Sequence, residues 1–271
     1  MAETGPGLAE AAALLARVSD TPRLDAELLL AHALGISRDR LLLDPPAATP
    51  PAFADLIARR LAHEPIAYIT GQRAFWTLDL AVGPGVLVPR PDSETLIEAA
   101  IAHFGDRAPA SVLDLGTGSG ALLLAALDHW RCAWGVGVDR SAEALAIARA
   151  NAAPFGPRAV FVRGDWAAAL DARFDLVLCN PPYVETNADL PRDVAEWEPA
   201  SALFAGPEGL DDYRRLAPEL DRLLAPGGAA ILEIGASQRG VVSALVTAAG
   251  LVARCRQDLG GRDRCLVVTR D

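Results

Sequence analysis

The sequence predicts an α/β protein: a doubly wound, mostly parallel sheet closed by an antiparallel hairpin, preceded by a small helical bundle. Three observations predict it. Beyond about residue 110, short apolar strand-like runs alternate with helix-patterned segments, as consecutive βαβ units require. Residues 8–61 hold only helix patterns, punctuated by Pro and Gly. The last two strand-like runs, 251–256 and 265–269, are separated only by residues 257–264. A parallel crossover needs about a dozen residues or more, so these two must pair antiparallel.

In chain order, residues 8–18 carry a helical pattern. Ser19-Asp20-Thr21-Pro22 is a cap-and-start signal for a second helix, which Gly35 ends. Residues 38–43 form a short helical turn before Asp44-Pro45-Pro46, and 51–61 a further helix. Leu14, Leu15, Leu24, Leu28, Leu41, Phe53 and Ile57 are expected to form the core of this bundle. Whether it is a stabilising cap or a substrate-docking module stays open at this point.

Residues 75–82 and 86–88 read as strands flanking Gly83-Pro84-Gly85, which predicts a β-hairpin between two domains. Pro89-Arg90-Pro91-Asp92-Ser93 starts a helix running to about His103, with Asp92 or Ser93 as its cap. Strands are then expected at 112–115, 134–138, 159–162, 174–179 and 229–234, and helices at 120–128, 142–151, 210–224 and 238–249. The organisation is residues 1–72 as a helical bundle, 73–90 as a hairpin linker and 91–271 as a catalytic domain.

The 271 residues are 51% hydrophobic, enough for a sizeable core, and little disorder is expected beyond the first few residues. The net charge of −10 argues against a broad grip on phosphate backbones, so no direct nucleic-acid contact is expected. An acidic surface suits a basic protein partner. Cys132, Cys179, Cys255 and Cys265 form no CxxC pair and no ligand-spaced cluster with histidine, so no metal site is expected. The N-terminus lacks a basic start followed by an apolar run, and no stretch approaches a membrane span. A cytoplasmic monomer is the expectation.

The most informative stretch is Phe174-Asp175-Leu176-Val177-Leu178-Cys179-Asn180-Pro181-Pro182-Tyr183. An apolar strand ends at an amide, two prolines that cannot continue a ladder, and an aromatic ring. In open α/β sheets ligands bind beyond the carboxyl ends of the strands. The side-chain carbonyl of Asn180 and the main-chain carbonyl of Pro181 are both acceptors and can take the two hydrogens of a substrate NH2 group. Tyr183 can cover a planar group and attract positive charge developing on nitrogen. A plain Asn-Pro turn after a strand fits the same letters.

Upstream, Asp114-Leu115-Gly116-Thr117-Gly118-Ser119-Gly120 is a glycine loop between a strand and a helix. Glycines there allow positive φ and close approach of a ligand to the backbone, and main-chain N–H groups at the helix start receive acidic ligand groups. With Ala121 the spacing also satisfies a loose dinucleotide fingerprint, so an NAD-linked oxidoreductase is not excluded by the glycines alone. Asp139, after the next strand, can accept both ribose hydroxyls of an adenosine; a helix cap before Arg140-Ser141 is the alternative. Gly164-Asp165-Trp166 follows the third strand, where Asp165 can accept the exocyclic amino group of adenine and Trp166 can wall the base.

With these residues in place the chain resembles the release-factor glutamine methyltransferases of the HemK/PrmC type. The resemblance runs through Arg23-Leu24-Asp25, Glu64-Pro65, Tyr68-Ile69-Thr70-Gly71, Phe75-Trp76, Pro89-Arg90-Pro91-Asp92, the glycine loop, Asn180 to Tyr183 and Glu198-Pro199. It implies a class I S-adenosylmethionine-dependent methyltransferase sheet with an antiparallel last strand. It implies S-adenosyl-L-methionine as cofactor, held at Gly116, Thr117, Gly118, Ser119, Gly120, Asp139, Trp166 and Asn180, to which the reading of the loop after the third strand adds Asp165, with S-adenosyl-L-homocysteine as product. It implies substrate contacts at Asn180, Pro181, Pro182 and Tyr183, with Asn180, Pro181 and Tyr183 catalytic. The implied reaction is methylation of the side-chain amide nitrogen (N5) of the glutamine in the Gly-Gly-Gln motif of peptide chain release factors, a step serving translation termination. Asn-Pro-Pro-Tyr is shared with adenine-N6 methyltransferases acting on DNA or RNA, which is the alternative. Residues 184–207 match the family pattern loosely.

Overall fold

A computed structural model describes residues 6–168 and 170–271. The expectation about the first few residues lies outside them. Two compact units are present. One holds the described residues up to Gln72 together with Leu190–Trp197; the other holds Arg73–Asp189 and Glu198–Asp271. Among the described residues no helix is long and apolar enough to cross a membrane.

The first unit contains helices α1 (Leu8–Leu15), α2 (Pro22–Leu34), α3 (Arg38–Leu43), α4 (Ala52–Leu61) and α5 (Ile66–Thr70). Pro22 occupies the first turn of α2 and Gly35, at φ 67°, ends it, as read from the sequence. Leu15, Leu29, Leu30, Leu41, Phe53 and Ile57 form the core. Leu24 does not: it is exposed, and Leu28 is only half-buried. The face of α2 turned inward carries Asp25 and Glu27 instead. Both are satisfied by arginines. Arg60 Nε reaches Asp25 Oδ2 at 2.9 Å, and Arg23 and Arg38 both donate to Glu27. Arg60 also donates to Asp193 Oδ2 at 3.4 Å, which ties α9 (Arg192–Ala195) into this unit.

The second unit opens with a hairpin, β1 (Gln72–Phe75) and β2 (Leu78–Ala81). Its turn is Trp76-Thr77, not Gly83-Pro84-Gly85, and residues 86–88 form no strand. Trp76 takes φ 56° and its N–H is held by Glu94 Oε1 at 2.8 Å, so the chain reverses early. Val88 N–H goes to the Glu198 carboxylate rather than to a strand. Phe75 and Leu80 are buried in the same core as α6 (Glu94–Phe104) and α7 (Ala121–His129). A 3-10 turn, Pro91–Ser93, precedes α6, and neither Asp92 nor Ser93 caps it by its side chain.

The remaining strands are β3 (Ser111–Leu115), β4 (Trp134–Asp139), β5 (Ala159–Arg163), β6 (Phe174–Cys179), β7 (Leu224–Glu233), β8 (Val252–Gln257) and β9 (Asp263–Thr269). Their order is β5-β4-β3-β6-β7-β9-β8. All pairings are parallel up to β6–β7; β9 lies antiparallel to both β7 and β8. The helices between them include α8 (Ala142–Asn151) and α12 (Arg239–Ala248). The single helix expected over 210–224 is broken at Pro218 into α10 (Asp211–Leu216), a 3-10 turn and α11 (Leu220–Leu223). β3 is buried along its whole length, Ser111 and Asp114 included, and β6 at all but Asp175, because helices cover both faces of the sheet.

Candidate functional site

The chain begins its sheet at β3, builds outward to β5, then returns to β3's other edge with β6. That reversal opens a crevice at the carboxyl ends of β3 and β6, where doubly wound sheets bind ligands. Leu115 pairs with Cys179, so Gly116 and Asn180 leave the sheet side by side. The glycine loop and the Asn-Pro-Pro-Tyr segment therefore meet at one point. A cavity of about 190 Å³ is lined by residues of both, including Gly116, Gly118, Asn180 and Pro182.

The loop's shape follows from its glycines. Gly116, Gly118 and Gly120 have φ of 75°, 54° and 86°. The N–H groups of Gly116 and Thr117 both donate to Val138 O at 2.9 Å, which pins the loop to β4. A Cβ on Gly116 would lie 3.1 Å from Trp166 Cζ3 and 3.9 Å from Asn180 O, so only glycine leaves this approach open. Thr117 Oγ1 donates to Asp114 Oδ2 at 2.6 Å. Among the described residues Asp114 Oδ1 is buried without a partner. Burial pushes the Asp114 carboxyl up to about 7, against the lowering effect of the Thr117 and Leu123 hydrogen bonds.

Asp139 does not cap α8. Ser141 does, accepting from Ala144 N. Asp139 instead accepts from Gly118 N at 2.9 Å and Ser141 N at 2.8 Å, which leaves carboxylate lone pairs for a ribose at the cavity wall. Trp166 stands at φ 49° with its indole N–H on Asp212 Oδ1 at 3.1 Å. Asp165 lines the cavity too, but its exposed carboxylate is paired with Arg215.

At the acceptor end, Asn180 Nδ2 donates to Ser93 Oγ at 3.2 Å. That contact commits the NH2 of the side chain and leaves its oxygen as the free acceptor. Pro181 is buried and, like Tyr183, is not part of the cavity lining. Tyr183 OH donates to Glu233 Oε1 at 3.2 Å. Burial raises its phenol above the ordinary range, and the Glu233 charge adds to that. Opposite, Arg90 pairs with the buried Glu198, which also takes Val88 N–H, and Phe75, Ser93 and Phe204 complete the wall. Sequence reasoning missed Asp212 and Glu233; it named Ser93 only as a helix cap and Glu198 only among the residues that carry the resemblance. A polar residue closing an apolar strand, as Glu233 does, was the one signal available.

The sheet order with its antiparallel last strand, the bare glycine loop and the acidic residue after the next strand define a class I S-adenosylmethionine-dependent methyltransferase. Comparisons give the family. Residues 8–71 match the PrmC N-terminal domain and residues 92–196 the methyltransferase small domain. A release factor glutamine methyltransferase of Rhodospirillum rubrum is 44% identical over 260 residues, covering 93% of this chain and 80% of that one. Its counterpart in Caulobacter vibrioides is 42% identical, covering 92% and 89%. The chain belongs to the release factor glutamine methyltransferase family. In fold it is similar to a ribosomal protein L11 methylase of Lactobacillus delbrueckii subsp. bulgaricus, with TM-score 0.52 and 24% identity over 70% of this chain and 84% of that chain.

Proposed function

We propose that this protein methylates the side-chain amide nitrogen of the glutamine in the Gly-Gly-Gln motif of peptide chain release factors, using S-adenosylmethionine. The observation that carries this reading is the cavity shared by Gly116 and Asn180, with the Asn180 NH2 already committed to Ser93. S-adenosylmethionine supplies an electrophilic methyl group on a positively charged sulfur. The loop of Gly116, Thr117, Gly118, Ser119 and Gly120 gives it a backbone cradle. Asp139 takes the ribose, and Trp166 walls the base from its position against Gly116. Asp165 stands close by, held by Arg215.

The acceptor is a carboxamide, whose nitrogen is a weak nucleophile because its lone pair is delocalised. In this reading Asn180 Oδ1 and the Pro181 carbonyl take both amide hydrogens and turn the lone pair toward the methyl group. Pro182 keeps the segment rigid. Tyr183 lies just outside the cavity lining with its hydroxyl tied to Glu233, and in this reading its ring covers the amide plane once substrate is bound. Rate comes from position and electrostatics, not from a base beforehand. The methylated amide nitrogen is acidic and gives its proton to water.

The helical unit up to Gln72 serves as a docking module for the release factor, and the protein works in the cytoplasm as a monomer without holding nucleic acid directly. The net charge of −10 supports the last point. The test is labelled methyl transfer from S-adenosylmethionine to a release factor, to duplex DNA and to ribosomal RNA in parallel. Label on the release factor alone is expected; label on nucleic acid alone transfers the assignment to adenine.

A further inference from the structure

We propose that Asp92 and Arg264 are positioning residues for methyl transfer: through them the closing hairpin of the sheet braces the turn that carries Ser93 against the Asn180 amide. The inference rests on reading Asn180 to Tyr183 as the acceptor site. Ser93 is buried and accepts from Asn180 Nδ2 at 3.2 Å, the outer edge of the normal range for an N–H···O bond. A further shift of about half an ångström would break it. Whatever holds Ser93 therefore decides whether the amide stays turned with its oxygen to the cavity.

The helix that follows does not fix it by a cap. Ser93 closes a single 3-10 turn before α6, and neither it nor Asp92 caps that helix by its side chain. The turn's backbone bonds are local: Ser93 N–H goes to Arg90 O at 3.1 Å and Glu94 N–H to Pro91 O. They set the turn's shape but not its place against the sheet. A tie to the sheet comes from the far end of the chain. Asp92 Oδ2 takes Arg264 at 3.1 Å and Arg262 at 3.4 Å.

The hairpin end of this tie is itself fixed. Arg264 lies in β9 and is buried, and its main-chain oxygen accepts from Ile234 N at 2.8 Å, just past β7. Its guanidinium reaches Asp258 Oδ2 through Nε at 3.3 Å and Nη2 at 3.1 Å. Asp258 is locked in the loop between β8 and β9. Its Oδ1 accepts from Arg262 N at 3.0 Å, and its own N–H donates to Arg262 O at 2.9 Å. One planar guanidinium thus bridges a carboxylate held by the loop and a carboxylate on the turn. A fork of fixed geometry transmits position, where a lysine's flexible stem and rotating donors would not. The line of contact runs from Asp258 through Arg264 and Asp92 to Ser93 and Asn180, all within the unit that holds the cavity.

The experiment is a double-variant cycle on methylation of a release factor by the full chain. It is run at about pH 8.5, above the value of about 7 to which burial pushes the neighbouring Glu233 carboxyl, so that its charge near Arg264 stays constant. Asp92→Ala suits the cycle because that side chain is 40% exposed and Arg264 keeps Asp258, so no buried charge is stranded. It should lower kcat about 10- to 100-fold, the scale of a slightly misplaced reacting group. KM for the release factor and calorimetric affinity for S-adenosylmethionine should stay within about twofold. Ser93→Ala should lose a similar factor in kcat. The double variant should be slower than Ser93→Ala by no more than about twofold, since Asp92 acts through Ser93. Arg264→Lys, which keeps the charge but not the fork, should behave as Asp92→Ala does. Wild-type kcat in Asp92→Ala or in Arg264→Lys overturns the inference. So do losses that multiply in the double variant, the mark of a general structural effect. Should Arg264→Lys fail to fold, the Asp92 and Ser93 cycle decides alone. A wild type that methylates no release factor sinks the acceptor reading and this one together; an active wild type with an indifferent Asp92→Ala sinks only this one.

Discussion

Asp114 offers a quantitative test of how the cofactor loop is held. Its carboxyl is fully buried, with one oxygen on Thr117 and Leu123 and the other unpartnered among the described residues. Burial raises it from 3.8 to about 7. The sign follows from proton counting. Between those two values the folded chain holds a proton that the unfolded chain has released, so unfolding free energy falls as pH rises through that window. The loss is complete above the folded value and absent below the unfolded one. From about pH 5 to about pH 8 the loss is roughly 3 kcal/mol, at about 1.4 kcal/mol per unit. Asp114→Asn is neutral throughout and keeps one side-chain carbonyl oxygen to accept from Thr117 and Leu123. Urea unfolding of the cofactor-free protein at both pH values should therefore give a pH dependence flatter by about 2–3 kcal/mol in the variant. The wild-type slope should also contain a similar share from Glu233, which the variant retains. Identical slopes for wild type and Asp114→Asn would refute the claim that burial, and not solvent, sets this carboxyl.

Two further substitutions probe other parts of the chain. Gly116→Val places a branched side chain at φ 75° and against Trp166 Cζ3. It should cost about 1–2 kcal/mol of stability and weaken S-adenosylmethionine binding at least about tenfold, read by thermal melting and calorimetry; an unchanged affinity would count against the cradle. Arg60→Ala leaves the buried Asp25 without its cation, 2.9 Å away. It should destabilise the helical unit by roughly 3–5 kcal/mol, visible as early exchange of α2 amides, whereas a loss below about 1 kcal/mol would mean that water reaches Asp25.

How much of this was legible depended on whether a feature was local. The strand–helix alternation, the extent of α2 from Pro22 to Leu34 and the antiparallel closing hairpin are written in periodicity, caps and loop length. The crevice was legible because both of its motifs end strands. What failed was non-local. Leu24 looked like core because the pattern could not show that Asp25 and Glu27 would be neutralised by Arg60, Arg23 and Arg38. The hairpin was placed at Gly83-Pro84-Gly85 because glycine and proline mark turns, but Glu94 stabilises a positive φ at Trp76 from outside the hairpin. Ser93 read as a helix cap; its partner Asn180 lies 87 residues away and only the sheet brings them together. Glu233 gained meaning from Tyr183, 50 residues earlier, for the same reason.

The sheet thus does two things at one edge. It sets a bare glycine turn beside a rigid amide, and it closes the space between them with side chains that hold their atoms in place. The most direct test of that arrangement is tandem mass spectrometry of a release factor incubated with S-adenosylmethionine and either wild type or Asn180→Ala. One added methyl on the Gly-Gly-Gln glutamine with wild type, and none with a variant that still binds cofactor, is the predicted result. Methylation at near wild-type rate by Asn180→Ala would contradict it.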